Sequence, residues 1–295
     1  MDFQFKKNTL IKFFLFNFFC LFAFLSFFSS PVRSETLVIA TLNSAPSNEI
    51  KRLLPLSNYI VQRLQVQNFD KSKVLVEKSV PRIAKLLQEG KIDVYIGNPF
   101  TAVAMSRLSG MKFLLQTTSQ GADKHPSVIF VKNNSTINKA KDLQGKKIAF
   151  EDSLSTSGYF LPKWFLTTKG LKLNPLKKIS DEVKTDELGY VFSNDDLNTL
   201  FWVKKGKIDA GAVDAVTYQL QAKESLDQLK IIEKTLPLPP LLIGYRSNLA
   251  PDLVLRLKFV LLKMHETDEG RNETFHRLQL SNPDQEMGAP ALGEH

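Results

Sequence analysis

Cysteine is almost missing from this chain: the 295 residues hold one, Cys20, together with only four histidines. A lone cysteine excludes an internal disulfide framework. Neither His nor Cys residues cluster at ligand spacing, so no metal site is expected, and nothing calls for a cofactor. The chain also lacks a fixed-period repeat, a low-complexity tract and a long linker. Gly145-Lys146-Lys147 is without the rest of a phosphate-binding loop, which leaves nucleotide hydrolysis unsupported.

What is present begins with an N-terminal leader. Lys6, Lys7 and Lys12 form a positive region, an apolar stretch follows from Phe13 to Phe28, and Pro31-Val32-Arg33-Ser34 closes it with small residues at −3 and −1. Residues 1–34 therefore read as a signal peptide cleaved after Ser34, and the apolar run is shorter than the roughly 20 residues of a membrane span. Cleavage removes Cys20, so no thiol nucleophile remains in the mature chain. Bulky Phe18 and Phe19 before Cys20 argue against a lipoprotein site. The leader carries Lys6, Lys7, Lys12 and Arg33 against Asp2, a net +3, which leaves +6 of the chain's +9. That excess is scattered. In an exported chain it reads as mild steering of anionic solutes and not as a nucleic-acid footprint.

Along the mature chain apolar runs alternate with helix-period segments, the pattern of an α/β fold. Strands are expected at Thr36–Thr41, Lys73–Glu77 and Ile92–Ile96. Helices are expected at Pro55–Leu64, from Pro81 to Glu89 where Gly90 stops the turn, and near Phe100–Leu108. A second set follows, with strands at Lys147–Phe150, Ile208–Ala212 and Leu229–Ile232 and helices at Gly158–Thr168, Asp195–Lys204 and Val213–Gln221. A helix from Pro251 to His265 comes later. The simplest topology has two lobes. Glu35–Lys132 with Arg246–His295 forms one, Asn133–Pro240 the other, and strands at 127–132 and 241–245 act as the hinge. Ligands gather in the cleft such a layout creates, and hinge closure around a solute becomes available.

The segment most informative for function is Phe150-Glu151-Asp152-Ser153-Leu154-Ser155-Thr156-Ser157-Gly158. It leaves a strand and opens a helix with hydroxyls and free N–H groups at the positive end of the helix dipole, an anion site built without a formal charge. Ordinary N-capping is the competing reading for Ser155, Thr156 and Ser157, since one hydroxyl before a helix is common. Three hydroxyls followed by Gly158, which adds no bulk, exceed what capping needs.

Lys141-Asp142-Leu143-Gln144-Gly145-Lys146-Lys147-Ile148-Ala149-Phe150, then Ser155-Thr156-Ser157-Gly158 and Pro162, resembles the phosphate/phosphite/phosphonate-binding proteins of ABC importers. Gly90-Lys91-Ile92-Asp93-Val94-Tyr95-Ile96-Gly97-Asn98 and Gly206-Lys207-Ile208-Asp209-Ala210-Gly211-Ala212 match a pattern that occurs once per lobe in that family. The resemblance covers most of the mature chain. It implies an α/β, two-lobed periplasmic-binding-protein fold of type II, with two hinge crossings and a ligand cleft between the lobes. It implies a small phosphorus oxyanion, phosphonate, phosphite or phosphate, gripped by Ser155, Thr156 and Ser157. The implied partner is an ABC permease in the inner membrane. A sensor domain signalling to a separate receptor kinase, and a binding protein for another small oxyanion, are the alternatives. The chain departs from the family at Val80 and Asn194-Asp195-Asp196, where members often carry Tyr and His, and has His125 near the position of a second Tyr.

Other ligand-binding candidates come from position. Asn98 follows the third strand at the end where ligands of open α/β sheets gather, with helix capping as its alternative. Asn43 and Ser44 hold an equivalent place after the first strand. His125 is a candidate donor to an anion, or a loop residue. Asp214 is a candidate for accepting a proton-bearing ligand oxygen or pairing with a ligand amine, or a helix cap. Arg82 is a candidate charged clamp. Trp164, Phe160 and Phe165 at helical spacing read as core. No general base is evident beside Ser155 or Ser157, so the chain does not read as an enzyme.

Overall fold

The computed structural model describes residues 35–43, 46–64, 69–117, 124–222, 228–272 and 278–280. The expected signal peptide lies outside the described residues. Among those described, no helix is long and apolar enough to cross a membrane.

Two six-stranded sheets carry the fold. In the first lobe, β1 (Glu35–Leu42) and β2 (Phe69–Glu77) run parallel, and β1 also pairs parallel with β3 (Val94–Gly97). Antiparallel β11 (Leu242–Tyr245) follows beside β3, then β4 (Lys112–Thr117), then β12 (Leu278–Leu280). In the second lobe, β7 (Lys172–Pro175), β8 (Glu187–Phe192), β6 (Lys147–Phe150) and β9 (Ala210–Asp214) are mutually parallel. Antiparallel β5 (Ser127–Lys132) and β10 (Leu229–Lys234) complete it. The sheets obey one rule: each takes in, antiparallel beside the last of its parallel strands in chain order, a strand that arrives from the other lobe. That strand is β11 in the first lobe and β5 in the second, so the chain crosses twice.

The central strands beside each crossing are short and apolar because both faces are covered. β3 is buried along its whole length, and β5 and β9 nearly so. Helices α1 (Pro46–Leu64) and α7 (Pro251–Leu262) pack one face of the first sheet through Leu53, Leu56, Ile60, Leu257 and Leu261. α2 (Val80–Gln88) and α3 (Pro99–Ser109) cover the other with Ile83, Leu87, Ala102 and Met105. In the second lobe α4 (Leu161–Thr168) lies on one face, and α5 (Asp196–Lys204) and α6 (Ala215–Ala222) lie on the other.

The repeated Gly-Lys-Ile-Asp element is scaffold. Asp93 accepts the Val38 N–H at 2.9 Å, and Asp209 accepts the Lys147 N–H at 2.9 Å. In each lobe the carboxylate ties the start of the last parallel strand to the first, β3 to β1 and β9 to β6. Asp93 does more: its other oxygen receives Arg246 Nε at 2.9 Å, which anchors the exit of β11.

Several elements differ from expectation. α1 begins at Pro46, not Pro55. The stripe Leu53, Leu56, Ile60 runs through exposed Pro55, and burying it outweighs the hydrogen bond proline forfeits. β8 was not anticipated, because Gly189 interrupts its apolar run. Leu176 and Val183 fill the space where a side chain would stand. The helix expected from Gly158 divides into a widened turn over Thr156–Phe160 and a regular helix from Leu161. Trp164 is not core: it is 54% exposed.

Candidate functional site

Four candidate loops sit at the C-terminal ends of parallel strands. β3 ends into Asn98, β6 into Glu151 and the hydroxyl turn, β8 into Asp195 and Asp196, and β9 ends on Asp214. This edge of an open α/β sheet is where ligands bind, because helix N-termini point at it.

The hydroxyl turn divides its labour. Ser155 is the N-cap, its Oγ accepting from the Gly158 N–H at 2.9 Å. The Ser155 hydroxyl in turn donates to the Glu151 carboxylate. Thr156 reaches into the other lobe. Its hydroxyl donates to Asn98 Oδ1 at 2.8 Å and accepts the Phe100 N–H at 3.2 Å. Ser157, the next residue, is half-buried.

Asn98 caps α3 and bridges the lobes at once. Its Oδ1 accepts the Thr101 N–H at 3.0 Å, while its Nδ2 donates to Leu154 O of the second lobe at 2.7 Å. Buried Tyr95 donates to Thr101 Oγ1 at 2.8 Å, and Thr101 in turn donates to Asn98 Oδ1 at 2.9 Å, so the amide is held in one orientation. Two apolar contacts accompany the bridge. Leu154 packs against the first-lobe cluster that contains Ile83, Tyr95 and Leu242. Phe100 stacks on Phe160 with ring centroids 3.3 Å apart.

Carboxylates surround the turn on the second-lobe side. Burial, before any charge effect, pushes the Asp196 carboxyl up to about 8, and repulsion from Glu151, Asp214 and Asp195 adds to it. A hydrogen bond between Asp196 and Glu151 fits one shared proton. Asp196 Oδ1 is buried without a partner. Glu151 is also raised, chiefly by burial, with the Ser155 hydrogen bond acting the other way. Asp214 Oδ1 caps α6 by accepting from Val216 N–H at 2.8 Å. Among the described residues no group of three or more His, Cys, Asp or Glu is arranged to hold a metal ion.

The remaining candidates form none of the bridge's hydrogen bonds. His125 lies on a crossing between the sheets, exchanging backbone hydrogen bonds with Leu238 at 2.8 and 3.0 Å. It is nevertheless linked to the Asp214 loop, since Ala215 N–H donates to Pro126 O at 3.0 Å. Arg82 is exposed on α2, where its backbone N–H meets the Ser79 cap at 3.4 Å. Asn43 ends β1 and donates its backbone N–H to Glu77 O at 3.1 Å, while Ser44 lies outside the described residues. Sequence reasoning passed over Glu151, although it stands at a strand end beside the turn. It also missed Phe100, two residues after Asn98.

Two crossing strands, twin sheets and a site where the lobes meet define a type II periplasmic binding protein. The model of the ABC transporter, phosphonate, periplasmic substrate-binding protein family matches residues 39–281, and the chain belongs to that family. It is a periplasmic solute-binding protein and not an enzyme. XAC2383 from Xanthomonas citri, solved with bound chloride, has the same fold (TM-score 0.77, 24% identity, covering 84% of this chain and 92% of that one). PhnD1 from Prochlorococcus marinus, in complex with methylphosphonate, is similar at TM-score 0.65 and 18% identity, covering 85% and 94% of the two chains.

Proposed function

We propose that the protein captures a small phosphorus oxyanion, phosphonate before phosphite or phosphate, between its lobes and delivers it to an ABC permease of the inner membrane. The observation that carries this reading is the reach of Thr156. A side chain in the first turn of a second-lobe helix already touches Asn98 and the Phe100 N–H of the first lobe. An oxyanion held by the Ser155–Gly158 turn would therefore meet both lobes and favour the closed arrangement.

Hydrogen bonds to a charged acceptor contribute about 1.5–3 kcal/mol each. Four or five exceed the roughly 8 kcal/mol of micromolar binding by enough to cover ordering and desolvation. Neither lysine nor arginine is required. The carboxyls of Glu151, Asp196 and Asp214 add selectivity, since they disfavour a fully ionised anion and favour a ligand with a proton or an ammonium group to offer. Aminoethylphosphonate meets that description and sulfate does not. PhnD1, which shares the fold, was solved with methylphosphonate.

The test is calorimetry on residues 35–295 with phosphate, phosphite, methylphosphonate, aminoethylphosphonate and sulfate. Micromolar binding of a phosphorus oxyanion, weakened at least tenfold by Thr156→Ala with Ser157→Ala, is the expected result. Undiminished affinity in the double variant would remove the turn from the site, and exclusive binding of sulfate would overturn the ligand class.

A further inference from the structure

A cavity of about 790 Å³ opens beside the Asn98–Thr156 bridge, with one wall from α3 of the first lobe and the other from the Thr156–Phe160 turn and α4 of the second. Phe100, Val103, Leu108, Phe160, Leu161 and Trp164 supply its surface. Phe100 is 45% exposed, Leu108 51% and Trp164 54%. Three large apolar side chains gathered on one concave surface are unusual for a soluble protein and mark an interaction site.

The polar groups choose among occupants. Arg107 and Lys163 line the cavity from opposite lobes, and no carboxylate does. Arg107 has no ion pair among the described residues, while Lys163 Nζ donates to Tyr159 Oη at 2.7 Å. An apolar hollow with cations on both sides complements a molecule that is greasy along its body and negative at one end. The volume is that of a small-molecule site. A protein partner would need a face of roughly 800 Å².

We infer that this cavity is a second ligand site, adjoining the hydroxyl turn and sharing Thr156 with it, which takes an amphipathic anion: an alkyl or aryl body against Phe100, Leu108 and Trp164, with one anionic head paired to Arg107. Because the walls come from both lobes, the occupant binds the closed arrangement selectively. It therefore raises the affinity of the turn for its own ligand, and the coupling is reciprocal.

Calorimetry on residues 35–295 with octanoate tests this, with octyltrimethylammonium as the charge control and acetate as the control for the apolar body. Saturable octanoate binding, at least tenfold tighter than either control and at least tenfold weaker in Arg107→Ala, is expected. Arg107 is exposed, so that variant should keep its melting temperature. Octanoate that fails to bind, that binds no better than the cation, or that binds Arg107→Ala equally well overturns the proposal. Displacement of octanoate by a saturating phosphorus oxyanion would also overturn it by assigning octanoate to the turn. A dimer in sedimentation that Leu108→Glu dissociates would give the cavity to a second copy of the chain. Apart from the displacement arm, these results do not depend on the ligand of the turn, so a failure of octanoate to bind leaves the proposed function standing.

Discussion

Gly158 has no room for a side chain because Glu151 fills it: a Cβ built there would stand 2.5 Å from both Glu151 Cβ and Oε2, and 2.9 Å from Ser155 Oγ. The glycine that the sequence offers as access for a ligand is thus also the seat of an internal carboxyl. Gly158→Ala must push Glu151 or Ser155 aside. The expected cost is about 1–3 kcal/mol of stability, read as a lowered urea midpoint, together with at least a tenfold loss of oxyanion affinity. A variant with unchanged midpoint and affinity would show that the turn tolerates the displacement.

The bridge between the lobes makes a separate prediction. Asn98→Ala removes the acceptor of the Thr156 hydroxyl, the donor to Leu154 O and the cap of α3. Losing the cap costs about 1 kcal/mol, and losing the bridge should open the lobes. Small-angle scattering is expected to give a larger radius of gyration than for the parent chain, and ligand affinity should fall at least tenfold. Asn98→Asp keeps the cap and the acceptor but loses the donor, so it should fall between the two.

Asp196 sets a pH dependence whose sign follows from its raised carboxyl. In the folded chain it keeps a proton up to about pH 8, whereas the unfolded chain releases it near the ordinary Asp value of 3.8. Between those values the folded state binds more protons, so stability declines as pH rises across that window. Deprotonation also adds negative charge beside the turn, so anion affinity should weaken in the upper part of the window. Melting temperature and Kd measured from pH 5 to 9 are expected to follow this course, and Asp196→Asn should flatten both. A pH profile identical in the variant would assign the dependence to other groups.

The two motif aspartates should differ in weight. Asp93 is buried and holds both Val38 N–H and Arg246, so Asp93→Ala leaves an amide unpaired and the guanidinium without its carboxylate, with only Asn248 still accepting from it, and should cost about 3 kcal/mol. Asp209 is exposed and holds only the Lys147 N–H, so Asp209→Ala should cost about 1 kcal/mol. Urea denaturation of the two variants checks the contrast, and equal losses would contradict it.

Much of the architecture was legible in the residues themselves. Val94–Gly97, Ser127–Lys132 and Ala210–Asp214 are short apolar runs between turn signals, because a strand covered on both faces has no polar side to display. Asn98, Ser155 and Asp214 could be named as strand-end residues for the same local reason. The outcome of capping against ligation was not legible, because it depends on which way a side chain turns. Ser155 turns inward to its own helix. Thr156, one residue on, faces the other lobe, and Asn98 does both tasks.

Periodicity and turn chemistry act over a few residues, so the order of the chain alone settles the α/β class, the presence of the central strands and the place of the hydroxyl turn. Contacts such as Asn98 with Thr156, Phe100 with Phe160 and Asp93 with Arg246 join residues separated by roughly 60 to 150 positions. The first two exist because the two sheets meet, and the third because β11 returns to the first sheet after the second lobe. Trp164 illustrates the consequence: helical spacing marks it as apolar and nothing more, and it is the arrangement of the lobes that leaves it on the wall of a cavity, not in a core.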